Sequence, residues 1–185
     1  IQQFYLLFNY DLIDAQFKTN LQSSISLLEE NEANIKSIAK EVAQGLYGKT
    51  AVLYAEASFE GVVTRMRQQI NENAKALCWH HVLPEMNHNE LVGWAGGKNE
   101  YAVVMLRTDF DHPRTSVRMD ISKKIITDYT STLFEFRANG ASIIEQSLYL
   151  ILFGDWVSVY LAELNKVDSI EVNVIDYLKG ELAKI

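Results

Sequence analysis

The chain has 185 residues, 48% of them hydrophobic, which is enough to bury one sizeable core and predicts a single domain over 1–185. A formal net charge of −7, with 17 scattered lysine and arginine residues, argues against nucleic acid as a partner. The single cysteine excludes an internal disulfide and suits a reducing compartment, so we expect a cytoplasmic protein. The longest apolar run, around 148–153, is shorter than a membrane span of about 18 residues, and we expect no membrane partner.

The N-terminal part of the chain predicts helices. The chain begins Ile-Gln-Gln, without methionine and inside an aromatic run, which is typical of a fragment whose beginning is missing. Residues 1–18 alternate aromatic and polar groups and predict a short helix or docking arm. From Asn20 to Leu46 apolar residues recur at helical spacing, with room for a kink near 31–34. We expect 1–46 to form a helical arm that packs on the domain.

The remainder of the chain alternates apolar runs with helical patterns. The predicted strands lie near 50–55, 76–83, 100–107 and 131–137. The predicted helical segments are Phe59 to about Asn73, capped by Ser58; Glu90 to Trp94; a helix capped by Asp111 that runs to about Tyr129; 141–164; and 171–184. Short apolar strands separated by helices predict a parallel sheet covered on both faces, which is an α/β three-layer α-β-α sandwich.

The stretch from Gln69 to Glu90 is dense in groups that titrate or hydrogen-bond near neutral pH. Its potential metal ligands are Cys78, His80, His81, Glu85 and His88. Neighbouring histidines in a strand point to opposite faces, and no pair of these residues has a recognised zinc spacing. The pattern therefore favours a site without a metal.

Two other motifs have simpler explanations. Gly48-Lys49-Thr50 resembles the end of a phosphate-binding loop, but Ala43 occupies the required glycine position, and a strand follows instead of a helix. Asp109-Phe110-Asp111 after a strand resembles an aspartyl-phosphate motif, and a helix cap at Asp111 is the preferred interpretation.

Glu72 is the strongest candidate for acid–base chemistry. It stands at the C-terminal end of a predicted helix, between two asparagines and beside a strand end, and ligands bind at strand ends in such sheets. A carboxylate in a cleft, with an imidazole on the rim, is sufficient to move a proton between carbons next to a carbonyl. An ordinary surface glutamate remains the alternative.

Two motifs carry a resemblance to a known family: Asn71-Glu72-Asn73-Ala74-Lys75, and Leu83-Pro84-Glu85 followed by Asn87-His88-Asn89-Glu90. Together with Tyr101–Arg107, His112–Arg114 and the tail from Leu152 to Lys179, they resemble the C-terminal half of the dual-specificity phosphoglucose/phosphomannose isomerases. These enzymes belong to the sugar isomerase (SIS) domain superfamily. The resemblance covers nearly the whole chain.

The resemblance implies a flavodoxin-like SIS domain, the second of two, in a homodimeric enzyme without metal or other cofactor. It implies that Glu72 is the general base and that His88, supplied by the neighbouring subunit, assists ring opening. Lys179 would contact the sugar, or it would be an ordinary solvated lysine. The implied reaction interconverts glucose 6-phosphate, and mannose 6-phosphate, with fructose 6-phosphate through an enediol.

The resemblance also leaves alternatives open. The family holds phosphate with a Ser/Thr-rich loop of its first SIS domain, and nothing in this chain matches that loop, so we expect the isolated chain to be inactive. Ser169 and Val172 lie nearest to the position that selects between the epimers and do not settle the choice. A non-catalytic SIS module that binds a sugar phosphate for a regulatory or dimerisation role is the alternative function, although the Glu72 and His88 pair favours a catalyst.

Overall fold

The fold is built on one parallel sheet of four strands in the order β2-β1-β3-β4. The structure is a computed structural model that describes all residues, 1–185. The strands are β1 Thr50–Glu56, β2 Cys78–Leu83, β3 Tyr101–Arg107 and β4 Leu133–Arg137. The predicted strands and their parallel arrangement are confirmed.

Seven α-helices accompany the sheet. They are α1 Gln2–Asn9, α2 Gln16–Leu46, α3 Glu60–Ala74, α4 Glu90–Gly93, α5 Pro113–Ile126, α6 Ile143–Asn165 and α7 Asn173–Leu182. The second helix is continuous over 31 residues, so the helix pattern shows no break near 31–34. It begins earlier than predicted, at Gln16, and packs against α6.

The side chains of each strand alternate between two apolar cores, because successive strand residues point to opposite faces of a sheet. On one face, Leu53 and Val104 join a core of 26 buried residues that includes α2, α3 and α6. On the other face, Tyr54 and Met105 belong to a smaller core of nine buried residues, which also includes Met119 of α5. The prediction of a three-layer α-β-α sandwich is confirmed.

The long helix α6 lies in the larger core. By length and composition alone it is the one helix of the chain that could cross a membrane. Tyr149, Phe153, Val157 and Leu161 of this helix are buried inside the domain, and the ring of Phe153 stacks on that of Phe136. Such burial is typical of a core helix, whose apolar composition is explained by its protein neighbours.

Two predicted helix caps are wrong. The Ser58 hydroxyl donates to Glu56 in a turn of 3-10 helix that precedes α3, so it does not cap that helix. At α5 the cap is His112, whose Nδ1 accepts the Arg114 N–H at 3.2 Å. The Asp111 carboxylate is already engaged, because it accepts the Thr108 hydroxyl at 2.6 Å.

The connections decide which end of the sheet each helix terminus reaches. Helix α3 connects β1 to the parallel strand β2, so it runs antiparallel to the strands and ends near their amino-terminal edge. The segment after β2, a turn of 3-10 helix at Glu85–His88 followed by α4, begins at the carboxyl-terminal edge. The two family motifs therefore lie at opposite edges.

Candidate active site

Glu72 lies in the last turn of α3, at the amino-terminal edge of the sheet, with its side chain exposed. The sequence predicted a cleft at Glu72 on the ground that ligands bind at strand ends. That ground is wrong, because the rule concerns the carboxyl-terminal ends of the strands and Glu72 lies at the amino-terminal edge. Neighbouring contacts fix this end of α3: Asn73 Nδ2 donates to Ser158 Oγ at 2.8 Å, and Asn165 Nδ2 donates to the Ala74 carbonyl at 2.8 Å. The backbone that carries Glu72 is thus attached to α6.

Lys75 links the Glu72 turn to the segment that precedes α7. Its ammonium group donates to the carbonyl oxygens of Glu72 at 2.8 Å, Asp168 at 2.7 Å and Glu171 at 2.7 Å. Lys75 itself has a left-handed backbone with φ of 53°, which ends α3 and turns the chain towards β2. A positive charge at this position also complements the negative end of the helix dipole.

A cavity of about 280 Å³ lies beside this turn. The residues around it come from the end of α3, from the approach to β2 and from the start of α7: Asn71, Glu72, Lys75, Ala76, Leu77, Glu171, Val172, Val174 and Ile175. Lys179 is exposed on α7, four residues after Ile175 and hence on the same face of that helix. The structure therefore brings Glu72 and the Lys179 face of α7 to one edge of the sheet.

His88 lies at the opposite edge. It is exposed at the end of the Glu85–His88 turn, which is anchored by the fully buried Met86 and by a 2.8 Å hydrogen bond from Asn87 to Ser122. The six residues of β2 separate this turn from the approach to Glu72 and rise by about 20 Å. A single chain does not bring His88 and Glu72 together.

The other histidines of the stretch point to opposite faces of β2, as predicted. His80 Nε2 lies 3.2 Å from Thr64 Oγ1 of α3, and burial lowers the pKa of His80, with a smaller contribution from Arg67 in the same direction. His81 Nδ1 lies 3.1 Å from Glu90 Oε2 on the other face. No group of three histidine, cysteine, aspartate or glutamate side chains is arranged to hold a metal ion.

Glu90 is the centre of a hydrogen-bond network that the sequence did not predict. One of its carboxylate oxygens accepts the Tyr54 hydroxyl, which in turn accepts Trp94 Nε1–H at 2.9 Å. Burial, reinforced by Glu90, raises the pKa of Tyr54, so this phenol keeps its proton. Burial likewise raises the pKa of the Cys78 thiol to about 12, which makes Cys78 a poor nucleophile.

Sequence reasoning missed Lys75 as a residue of the site. Its contacts reach carbonyl groups 93 and 96 positions away, and no local pattern reveals such partners. The one available signal is its position immediately after a helix of polar residues, where a cation can cap terminal carbonyls.

A parallel sheet in the order β2-β1-β3-β4, covered by helices on both faces, defines a flavodoxin-like, doubly wound α/β domain. Residues 35–182 match the family described as the bacterial phosphoglucose isomerase C-terminal SIS domain. The chain belongs to this family.

Comparison with known proteins gives the same assignment. The chain is 37% identical over 169 residues to a bifunctional phosphoglucose/phosphomannose isomerase of Aquifex aeolicus, covering 90% of this chain and 53% of that protein. It is 33% identical over 180 residues to the protein of the same name from Caldicellulosiruptor bescii, covering 94% of this chain and 53% of that protein. This chain thus spans about half the length of both relatives.

Among solved structures, the fold is similar to that of a glucose-6-phosphate isomerase-like protein from Thermus thermophilus. The TM-score is 0.58 and the sequence identity 25%, over 71% of this chain and 42% of that chain. The resemblance inferred from the sequence motifs is confirmed by these comparisons.

Proposed function

We propose that this SIS domain forms part of an aldose–ketose isomerase that interconverts glucose 6-phosphate, and mannose 6-phosphate, with fructose 6-phosphate. The substrates follow from the names of the relatives that match at 37% and 33% identity. The structural observation that carries the proposal is the cavity at the amino-terminal edge, where Glu72 lies beside the start of α7. We place the enzyme in the cytoplasm, which suits its single buried, reduced cysteine.

In the proposed mechanism Glu72 is the general base. After ring opening, its carboxylate takes the proton from C2 of the aldose and returns it to C1, while a proton moves from the C2 to the C1 oxygen. The enediol lies between these two transfers, and the product is the ketose. No cofactor is required, because hydrogen only moves between adjacent carbons and their oxygens.

Exposure of the Glu72 side chain suits this role. A free carboxylate at the wall of a cavity can reach a substrate carbon, whereas one already paired with a cation would have to break that pair first. The cation nearest along the chain, Lys75, donates to the backbone carbonyl of Glu72 and leaves the carboxylate unpaired. Lys179, on the face of α7 that includes Ile175, would contact the sugar.

His88 would act on ring opening in the site of a neighbouring subunit. The separation of about 20 Å along β2 prevents one chain from supplying both residues to one substrate. In a two-fold dimer, however, an exposed residue on the rim of one subunit can complete the cleft of its neighbour. The exposed position of His88, on a turn anchored by the buried Met86 and by the Asn87–Ser122 hydrogen bond, supports this arrangement.

The test is hydrogen exchange at C2 in a protein of the relatives' full length that contains this domain. Wild type should exchange the C2 hydrogen of glucose 6-phosphate with solvent, and Glu72→Gln should lose this exchange together with isomerase activity by about 10²–10⁴-fold. Glu29→Gln, on the exposed surface of α2, is the matched control. Full exchange by Glu72→Gln would remove Glu72 from the mechanism, and tight substrate binding without any turnover in wild type would favour the non-catalytic module.

A further inference from the structure

A second cavity, of about 190 Å³, lies on the face of the sheet covered by α4. Three aromatic rings and one carboxylate line it, together with glycine backbone: Trp79, Glu90, Gly93, Trp94, Gly96, Gly97 and Tyr101. It shares no lining residue with the Glu72 cavity. We propose that this cavity binds a small organic cation of the alkylammonium or guanidinium type.

The arrangement of the rings supports a cation rather than a flat apolar ligand. The centroids of Trp79 and Tyr101 are 5.6 Å apart with an interplanar angle of 70°, and those of Trp94 and Tyr101 are 6.0 Å apart at 80°. Both indoles therefore stand nearly perpendicular to the phenol ring, and the three rings form adjoining walls instead of a stack. Aromatic faces are electron-rich and attract cations, most strongly when several surround one position.

The Glu90 carboxylate supplies a fixed negative charge at this wall. One oxygen accepts the Tyr54 hydroxyl and the other lies 3.1 Å from His81 Nδ1. Since Tyr54 keeps its proton, it acts as a donor and leaves the charge on the carboxylate. The Glu90 side chain is 28% exposed, so the charge is partly desolvated yet reachable from the cavity.

No lysine or arginine of the chain lies over these three rings. Two lysines lie over aromatic rings elsewhere in the chain: Lys18 Nζ lies 3.9 Å from the Phe8 ring centroid, and Lys36 Nζ lies 4.3 Å from that of Trp156. The basic side chain that contacts the Glu90 carboxylate is His81, whose Nδ1 lies 3.1 Å from Glu90 Oε2. The cavity thus combines aromatic walls and a carboxylate with no lysine or arginine of its own.

The size of the cavity limits the ligand. Sites for drug-sized ligands usually have about 300–1,000 Å³, so about 190 Å³ excludes a nucleotide and suits a single ammonium or guanidinium head group. A Cβ at Gly93 or Gly96 would meet no atom within 4 Å, so the rim is open to solvent. Such a head group belongs either to a free small amine or to a lysine or arginine side chain of a second copy of this chain.

The test uses the 185-residue chain and its three tryptophan indole N–H signals in NMR. Choline should shift the signals of Trp79 and Trp94 to saturation and leave that of Trp156 unchanged. Its neutral isostere, 3,3-dimethylbutan-1-ol, should bind at least about tenfold more weakly, because it fills the same volume without charge. Trp79→Leu, at a position that is 40% exposed, and Glu90→Gln should each weaken choline binding by roughly tenfold.

Equal binding of choline and its neutral isostere would overturn the proposal, as would unchanged choline affinity in Trp79→Leu. A sedimentation experiment with and without choline distinguishes the two sources of the head group. If choline converts a dimer to monomers in sedimentation, the natural occupant is a side chain of a second copy; if the mass is unaffected, it is a free amine. Since the two cavities are separate, the isomerase proposal stands or fails independently.

Discussion

The Lys75 ammonium nitrogen lies 2.7 Å from the Asp168 carbonyl oxygen, 93 residues further along the chain. This hydrogen bond, with those to Glu72 and Glu171, holds the start of α7 beside the end of α3. Lys75→Met should loosen this connection, because it leaves three carbonyl groups without their charged donor. We expect hydrogen exchange at the Ile175 and Asp176 amides to accelerate at least about fivefold, since one such bond contributes about 1 kcal/mol.

Lys166→Met is the matched control for this prediction. Lys166 also ends a helix, with φ of 56°, and is exposed, but its side chain donates to no carbonyl group. It should leave exchange at Ile175 unchanged. Equal acceleration in both variants would show that a helix-terminal lysine, rather than the Lys75 link, stabilises α7.

Mixing of two inactive variants tests whether Glu72 and His88 are shared between subunits. If the full-length protein is the proposed two-fold dimer, its Glu72→Gln and His88→Ala variants should each be impaired by about 10²–10⁴-fold. After subunit exchange, about half the dimers are mixed, and each mixed dimer has one site with both residues intact. Activity should therefore return to roughly a quarter of the wild-type level.

The recovery of activity on mixing depends on whether Glu72 and His88 of one site come from one chain or from two. It does not depend on which residue is the base. If both residues came from one chain, every site in a mixed dimer would carry one lesion and mixing would restore nothing. Flat activity after subunit exchange has been verified by mass spectrometry would reject the shared site. His88→Ala should also be less impaired with open-chain substrate, because ring opening is then unnecessary.

Glu145 should make the stability of the fold depend on pH in the acid range. The Ser23 side chain contributes most to holding the pKa of the Glu145 carboxyl below its ordinary value of 4.5. The backbone N–H groups of Ser142 and Ala141, which donate to this carboxylate at 2.7 Å each, act in the same direction. Because the pKa of Glu145 is lower in the folded protein, its charged carboxylate stabilises the fold fully at pH values above the ordinary pKa. This stabilisation is lost as the pH falls through the lower pKa of the folded state.

Glu145→Gln should therefore reduce the free energy of unfolding by about 1 kcal/mol at neutral pH. In urea titrations, this difference from wild type should shrink as the pH is lowered below 4.5. Glu29→Gln, at an exposed position, should show no such pH-dependent difference. A difference that is constant with pH would indicate a packing effect and contradict the role of charge.

Gly45 marks a close approach between α2 and β4. A methyl group at this position would overlap the ring of Phe134. Gly45→Ala should lower the free energy of unfolding by about 1–3 kcal/mol, in spite of the better helix propensity of alanine. Gly61→Ala in α3, where a Cβ meets no atom within 4 Å, should be neutral or stabilising in the same thermal or urea unfolding experiment. A stable Gly45→Ala protein would show that the Phe134 ring moves freely.

Local sequence patterns predicted the sheet and most of the helices. Short apolar runs separated by helical patterns produce parallel strands because both faces of such a sheet must be buried. The opposite orientation of His80 and His81 followed from the same local rule, since side chains alternate along any strand. The predicted cap at Asp111 was wrong because its carboxylate has a competing partner: it accepts the Thr108 hydroxyl and leaves the cap to His112.

The meeting of side chains from distant parts of the chain depends on the tertiary structure. Glu72 and His88 belong to one polar stretch of the sequence, and the direction of α3 relative to β2 sends them to opposite edges of the sheet. No local pattern indicates that Lys75 reaches Asp168, or that aromatic rings from β2, β3 and the segment after α4 surround one cavity. The physical reason is that hydrophobic periodicity acts over a few residues and fixes each element, whereas crossovers and packing between elements determine the edge, the face and the neighbours of every side chain.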